Sequence, residues 1–346
     1  MNPWIKRDRI RVIAFIGLVA VIGALFLIPI PYYTISPGSA EDVSPLVNME
    51  GHPPDEQGDF YLTTVSMKEG VLVDYLYSFL SGNVDLIPEE KVLAEDESDE
   101  DYERRQAESM QMSQNHAVIA AYRYAGKPVT VRVRGIEVLR LINGSGGLEE
   151  GDLITQIDRQ PVRSVEQLTG YLSRKKAGET VHVRVIRQQT PRDLMVRLTS
   201  LPAAKGKEKA GLGIVPVLKT EIQTDPVVRI DSAKIGGPSA GLMFSLEVLN
   251  RLMPEDLTRG YRIAGTGTIS PDGQVGQIGG IEYKITAAAE KGAEFFFCPA
   301  DKTPVDQNEK LAKATVKAKK YSMKVVPVRS LNEAVEYLKR LPSQKH

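Results

Sequence analysis

The chain has 346 residues, enough for two domains with extra segments. Its 44 basic and 44 acidic side chains cancel, so charge leaves no footprint of a nucleic-acid partner and none is expected. The single cysteine, Cys298, excludes an intrachain disulfide, which suits the cytosol or an exported protein that folds without bridges.

Residues 12–31, VIAFIGLVAVIGALFLIPIP, carry no charge. As a helix at about 1.5 Å per residue they would span roughly 30 Å, the thickness of a bilayer core. Lys6, Arg7, Arg9 and Arg11 precede the run, and Tyr32 and Tyr33 follow it. The positive-inside rule then keeps residues 1–11 in the cytoplasm as a basic terminus and sends the rest across. A cleaved signal peptide would have a shorter apolar core of about 7–15 residues. A buried soluble helix fits less well, since nothing polar interrupts any face. The expectation is an uncleaved single-pass anchor in the cell membrane, with everything after it extracytoplasmic.

Residues 32–127 read as a membrane-proximal region of strands and helices. YYTISPGSAEDVSPLV is extended and proline-punctuated. FYLTTVSM (60–67) alternates as a strand, and residues 72–82 have helical spacing up to Gly82. The acidic run EDESDEDYE (95–103) lacks the glycine and terminal glutamate of an EF-hand loop. Ser98 and Asp101 have capping-box spacing, which predicts a long helix running to Tyr124, where AGKP stops it.

Over 128–200 the chain alternates as strands around a short helix, which Ser164 and Gln167 open and Gly178 ends. Gly135–Ile142, LEEGDLITQIDRQPV (148–162), SVEQL (164–168) and AGETVHVRVIR (177–187) together resemble a PDZ domain of the bacterial protease type. That resemblance implies a groove taking an extended peptide as an added strand, between Ile136–Ile142 and Val165–Ser173. Gly135, Ile136, Val138 and Leu168 would line it. PAAKGKEKAG (202–211) reads as a linker, and a last domain occupies 212–340.

In that domain G-P-S-A-G, Gly237–Gly241, fits the G-x-S-x-G pattern of a nucleophilic serine. A serine needs a base. The only histidine after Ser239 is His346, the last residue, while His52, His116 and His182 precede it. The hydrolase order Ser…acid…His therefore fails, and singly scattered histidines suit no metal pair. Gly126-Lys127 and Gly206-Lys207 lack the serine or threonine of a phosphate loop, so no nucleotide motor is visible. No cofactor or metal is expected. A lysine can act as base when burial lowers its pKa. Lys284 qualifies, flanked at helical spacing by Ile281, Ile285, Ala288 and Ala289. Lys176 after Ser173 lies in a charged helix end, and Lys234 has no apolar shell.

KIGGPSAGLMFSLEVL (234–249) and AGTGTISPDGQVGQIGGIEYKITAAAEKGAEFFFCPADK (264–302) resemble the protease domain of the Lon family. The resemblance implies a dyad of Ser239 and Lys284, with Thr266 orienting the amine. Many members carry an aspartate three residues before the serine, where this chain has Gly236. The whole chain resembles membrane-anchored members of that family. This implies an α+β multidomain fold with an N-terminal transmembrane helix, a β-barrel-like PDZ domain with helices and a C-terminal α/β Lon proteolytic domain. A homo-oligomer is also implied, since such domains commonly form hexameric rings.

Ser239 would open a helix whose free amides, those of Ser239 and Ala240, form the oxyanion hole. Gly236, Gly237 and Gly241 would let a substrate backbone approach. The expected activity is that of a membrane-anchored, ATP-independent serine endopeptidase, acting through an acyl-enzyme on exported peptides or unstructured segments. A non-catalytic PDZ scaffold and a self-cleaving enzyme are the alternatives. Cys298 has no expected role, and the basic helix over 310–320 reads as a solvated face, with contact to anionic lipid as the alternative.

Overall fold

The computed structural model describes every residue except 1–2, 55–56, 81–83, 143–145, 204–206, 233–234 and 345–346, and the backbone alone at 3–10, 21, 202–203 and 207. Gly82, Lys234 and His346 thus lie outside the described residues, as do the side chains of Lys6, Arg7 and Arg9.

Helix α1 (Pro3–Leu27) stops short of the expected membrane span, and the first strand, β1 (Pro29–Asp42), begins two residues later. Pro29 and Pro31 cannot donate helical hydrogen bonds, and each biases the residue before it toward extended backbone. The apolar part of the helix therefore runs from Val12 to Leu27, about 24 Å long and short of a ~30 Å bilayer core. Among the described residues, no helix is long and apolar enough to cross a membrane. This corrects the transmembrane helix expected over 12–31.

Next come β2 (Val47–Met49), β3 (Asp59–Val71), the short helix α2 (Leu72–Ser78), β4 (Asp85–Pro88) and α3 (Asp99–Tyr124). Helix α3 opens where the capping pattern places it. Ser98 Oγ accepts from the Asp101 amide at 3.2 Å, and the Asp101 carboxylate accepts from the Ser98 amide at 3.4 Å.

The chain then builds a second unit from β5 (Val129–Leu141), β6 (Leu153–Ile157), β7 (Gln160–Pro161), α4 (Val165–Leu172), β8 (Thr180–Arg187) and β9 (Thr190–Arg197). It continues through β10 (Thr199–Ala203), β11 (Lys207–Gly211) and β12 (Ile214–Thr224). Helix α4 ends at Leu172, not Gly178, and the stretch expected as a linker pairs with itself as the antiparallel hairpin β10–β11. The main sheet runs β12-β5-β6-β8-β9. Its alternating inward residues, including Ile136, Val138, Ile154, Val181, Val183 and Val185, form a core separate from the rest.

Strand β13 (Val228–Ile230) pairs with β2 and returns the chain to the first unit. There follow α5 (Gly241–Leu252), β14 (Arg262–Gly265), β15 (Thr268–Ile269), β16 (Val275–Gly276), α6 (Ile281–Glu290), β17 (Phe295–Pro299), α7 (Asn308–Lys319), β18 (Lys324–Val328) and α8 (Leu331–Lys339). The six-stranded sheet has the order β18-β17-β14-β3-β1-β4, so strands from both ends of the chain share it. One core joins Phe60, Leu62, Met110 and Ala117 to Leu242, Phe244 and Leu246. Residues before the PDZ-like unit are therefore half of the last domain, and that unit is an insertion within it.

Candidate active site

Helix α5 is buried from Gly241 to Arg251, with Glu247 and Arg251 on its polar side paired at 2.7 Å. It enters the core from the loop that carries Ser239. Helix α6 presents Lys284 from its first turns, where Gly280 takes the left-handed conformation (φ 66°) that starts the helix. A Cβ at Gly280 would lie 2.9 Å from Val65 Cγ1, so only glycine lets α6 seat this closely on β3.

This docking brings Lys284 Nζ to 2.6 Å from Ser239 Oγ. Nζ also donates to Thr266 Oγ1 at 3.2 Å, and Thr266 Oγ1 in turn donates to the Ser239 carbonyl at 3.0 Å. Thr266 is fully buried and Lys284 is 3% exposed. Loss of solvent disfavours the ammonium, and burial lowers the Lys284 pKa from 10.5 to about 7. Close to neutral pH, much of this amine is free to accept a proton.

The Ser239 and Ala240 amides precede α5, and among the described residues neither donates to a protein acceptor. They stand beside a cavity of about 290 Å³ walled by Leu62–Val65, Met110, Ile235, Gly236, Ser239, Ala240 and Lys284. Two of the three glycines are required by close packing. A Cβ on Gly236 would meet Gln106 Cβ at 2.9 Å, and one on Gly241 would lie 2.7 Å from Ile269 Cγ2. Gly237 has φ +84° and donates to the Gln106 carbonyl at 2.9 Å. The loop is thus pressed against α3, and of the three glycines only Gly236 lines the cavity.

Residues 231–339 match the description of the Lon protease (S16) C-terminal proteolytic domain, and residues 113–198 match that of a PDZ domain. A Lon protease of Metamycoplasma arthritidis is 33% identical over 102 residues, 30% of this chain and 11% of the relative. The chain therefore spans about a tenth of the length of the curated relative it matches. The crystal structure of the PDZ domain of an SdrC-like protein of Listeria monocytogenes shares 28% identity, covering 25% of this chain and 93% of that one at TM-score 0.23. A solution structure of GtR34C from Geobacillus thermodenitrificans shares 32% identity over 23% of this chain and 94% of that one, at TM-score 0.21. The proteolytic-domain match and the Lon relative support a Lon-like protease.

Its Lon-like site uses residues that no local sequence pattern marked. Gln106, Met110 and Ser113 come from α3, and Leu62–Val65 come from β3. FYLTTVSM does read as a strand, but nothing in its alternation says that it walls a cavity.

In the PDZ domain the groove differs from expectation. Strand β5 is paired with β12 along its whole length and with β6 at Ile136 and Glu137, so the start of the expected groove strand is bonded on both sides. Ile136, Val138 and Leu168 belong to the domain core. Gly135 is needed for close packing, since a Cβ there would lie 2.5 Å from the Ile154 carbonyl oxygen. Among the described residues, β12 is one of the two edge strands of this sheet, and it is the one that α4 lies alongside. Leu212, Ile214 and Leu218 pack with Leu168 and Leu172 in the same cluster. An extended ligand would therefore pair with the first half of β12, behind Gly211–Gly213. The expected linker hid this strand, because GLGIVPV follows the lysine-rich stretch without a break in the pattern.

Proposed function

We propose that this protein is a serine endopeptidase that cleaves extended peptides or unstructured protein segments with a Ser239–Lys284 dyad, without ATP. The reading rests on one observation, a lysine amine buried in apolar surroundings 2.6 Å from a serine hydroxyl at the head of a helix. Neutral Lys284 takes the hydroxyl proton as Ser239 attacks the scissile carbonyl. The Ser239 and Ala240 amides hold the oxyanion of the tetrahedral intermediate. The intermediate collapses to a Ser239 ester as Lys284 returns the proton to the leaving amine, and water then hydrolyses the ester by the same proton route. Thr266 accepts one Nζ–H and so aims the lone pair at Oγ.

The PDZ domain would hold part of the substrate by strand addition to β12. The cavity of about 290 Å³ beside Ser239 has room for a substrate side chain, which suits a peptide threaded as an extended strand. Incubating a denatured casein with the full chain tests this by mass spectrometry of the products. Cleavage should disappear in both Ser239→Ala and Lys284→Met. Cleavage that survives Ser239→Ala would overturn the reading, and wild type that binds peptide without cutting it would favour a PDZ scaffold.

A further inference from the structure

Two peptide units carry the oxyanion donors, and the carbonyl of each is held by a hydroxyl from elsewhere in the chain. The Ser239 N–H belongs to the Pro238–Ser239 peptide, whose carbonyl accepts Ser113 Oγ–H at 2.8 Å. The Ala240 N–H belongs to the Ser239–Ala240 peptide, whose carbonyl accepts Thr266 Oγ1–H at 3.0 Å and the Gly267 amide at 2.8 Å. A trans peptide is planar, with C=O and N–H pointing opposite ways. A donor fixed on the carbonyl therefore sets the direction of the N–H. It also polarises the amide, since linked hydrogen bonds strengthen one another in a low dielectric.

Ser113 lies on α3, 125 residues before Pro238 in the chain and outside the segment matched to the Lon proteolytic domain. A serine in mid-helix usually donates to the carbonyl four residues back. Ser109, one turn earlier, does so to Arg105 at 2.8 Å. Ser113 instead reaches out of its helix. It is 4% exposed, and the space around its hydroxyl exists because Gly241 has no side chain. A Cβ at Gly241 would sit 2.8 Å from Ser113 Oγ. Two features of the sequence, a serine on one helix and a glycine opening another, thus serve a single contact.

We propose that Ser113 is a positioning residue for the oxyanion hole: it holds the Pro238–Ser239 peptide so that the Ser239 N–H faces the attacked carbonyl oxygen. The proposal rests on the dyad reading above. Ser113 Oγ bonds to the Pro238 carbonyl, while Lys284 bonds to Ser239 and Thr266, so removal of the Ser113 hydroxyl should slow the chemistry while leaving the ionisation of the base in place.

The test compares Ser113→Thr with Ser113→Val in the full chain. The two side chains have the same shape and differ by one hydroxyl, so steric strain cancels. The readout is the rate at which a fluorophosphonate probe labels Ser239, followed by mass spectrometry across pH. Phosphonylation develops negative charge on an oxygen that takes the same hole. Loss of a direct oxyanion donor costs about 10²–10³ in rate, so loss of a residue that only aims one should cost about tenfold or more. Ser113→Val is expected to label at least about tenfold more slowly than Ser113→Thr, with the pH midpoint near 7 unchanged in both. Equal rates, or a shifted midpoint in place of a lower plateau, would overturn the assignment. If the threonine and valine variants do not fold, Ser113→Ala against wild type is judged by the same two readouts. Lys284→Met separates the dyad from the positioning role of Ser113. Wild type that labels while Lys284→Met does not upholds the dyad, whatever Ser113 does. Wild type that never labels at Ser239 removes the dyad and this proposal together.

Discussion

Among the described residues Lys284 has no carboxylate partner, and loss of solvent lowers its pKa to about 7. The rate of Ser239 acylation should therefore rise with pH through a single ionisation near 7 and level off above it, measured as kcat/KM on a peptide substrate. The same burial fixes the sign of a stability effect. Between about 7 and 10.5 the unfolded chain holds this proton and the folded chain does not, so folding stability gains with pH across that window. Cys298 acts in the opposite sense, since burial and its acidic neighbours raise its pKa from 9.0 to about 12. The difference between wild type and Lys284→Met isolates the lysine. The methionine variant should be more stable by about 1–3 kcal/mol at pH 7, and that advantage should shrink toward pH 10, by urea denaturation. This much was legible in the sequence, because an apolar stripe around one lysine is itself a statement about burial. The 2.6 Å contact was not, since it depends on how α6 seats on β3.

Helix α3 is where sequence and structure part most. Its start was readable from Ser98 and Asp101, because a capping box is local chemistry. Its docking was not, because the residues that grip the serine loop are ordinary polar positions along a charged helix. Gln106 offers a backbone carbonyl to Gly237, and Ser113 a hydroxyl to Pro238. The same helix explains why glycine occupies 236, where many Lon enzymes have aspartate. A Cβ there would lie 2.9 Å from Gln106 Cβ, so a longer side chain must push α3 and the loop apart. Gly236→Asp should therefore lower stability by about 1–3 kcal/mol and slow probe labelling of Ser239. Gly236→Asp combined with Gln106→Gly should recover part of both. Equal stability of Gly236→Asp and wild type by thermal melting would show that the contact is not restrictive.

At the scale of the whole molecule, the PDZ domain is an insertion whose two ends meet. Val129 pairs with Thr224 across the base of the β5–β12 ribbon, which places their Cα atoms about 5 Å apart. Tyr122, at the end of α3, donates to the Pro226 carbonyl at 2.5 Å just beyond the ribbon. The insertion also braces α3, since Lys219 pairs with Glu108 at 2.6 Å and Asn115 donates to Thr220 at 3.4 Å. Replacing 130–223 by a short glycine-serine turn should leave a folded catalytic unit that still labels at Ser239, with weaker binding of long peptides by fluorescence polarisation. An unfolded product by circular dichroism would show that the insertion is part of the catalytic core. Sequence periodicity found both units but drew their borders in the wrong places, because strands such as β3 and β12 take their partners from far along the chain. The Ser239 ester itself can be caught directly. A peptide substrate is mixed with the full chain, quenched in acid within a turnover, and Ser239 is examined by mass spectrometry. The account predicts an acyl ester on Ser239 in wild type and none in Lys284→Met. Peptide cleaved at the wild-type rate with Ser239 never acylated would contradict it.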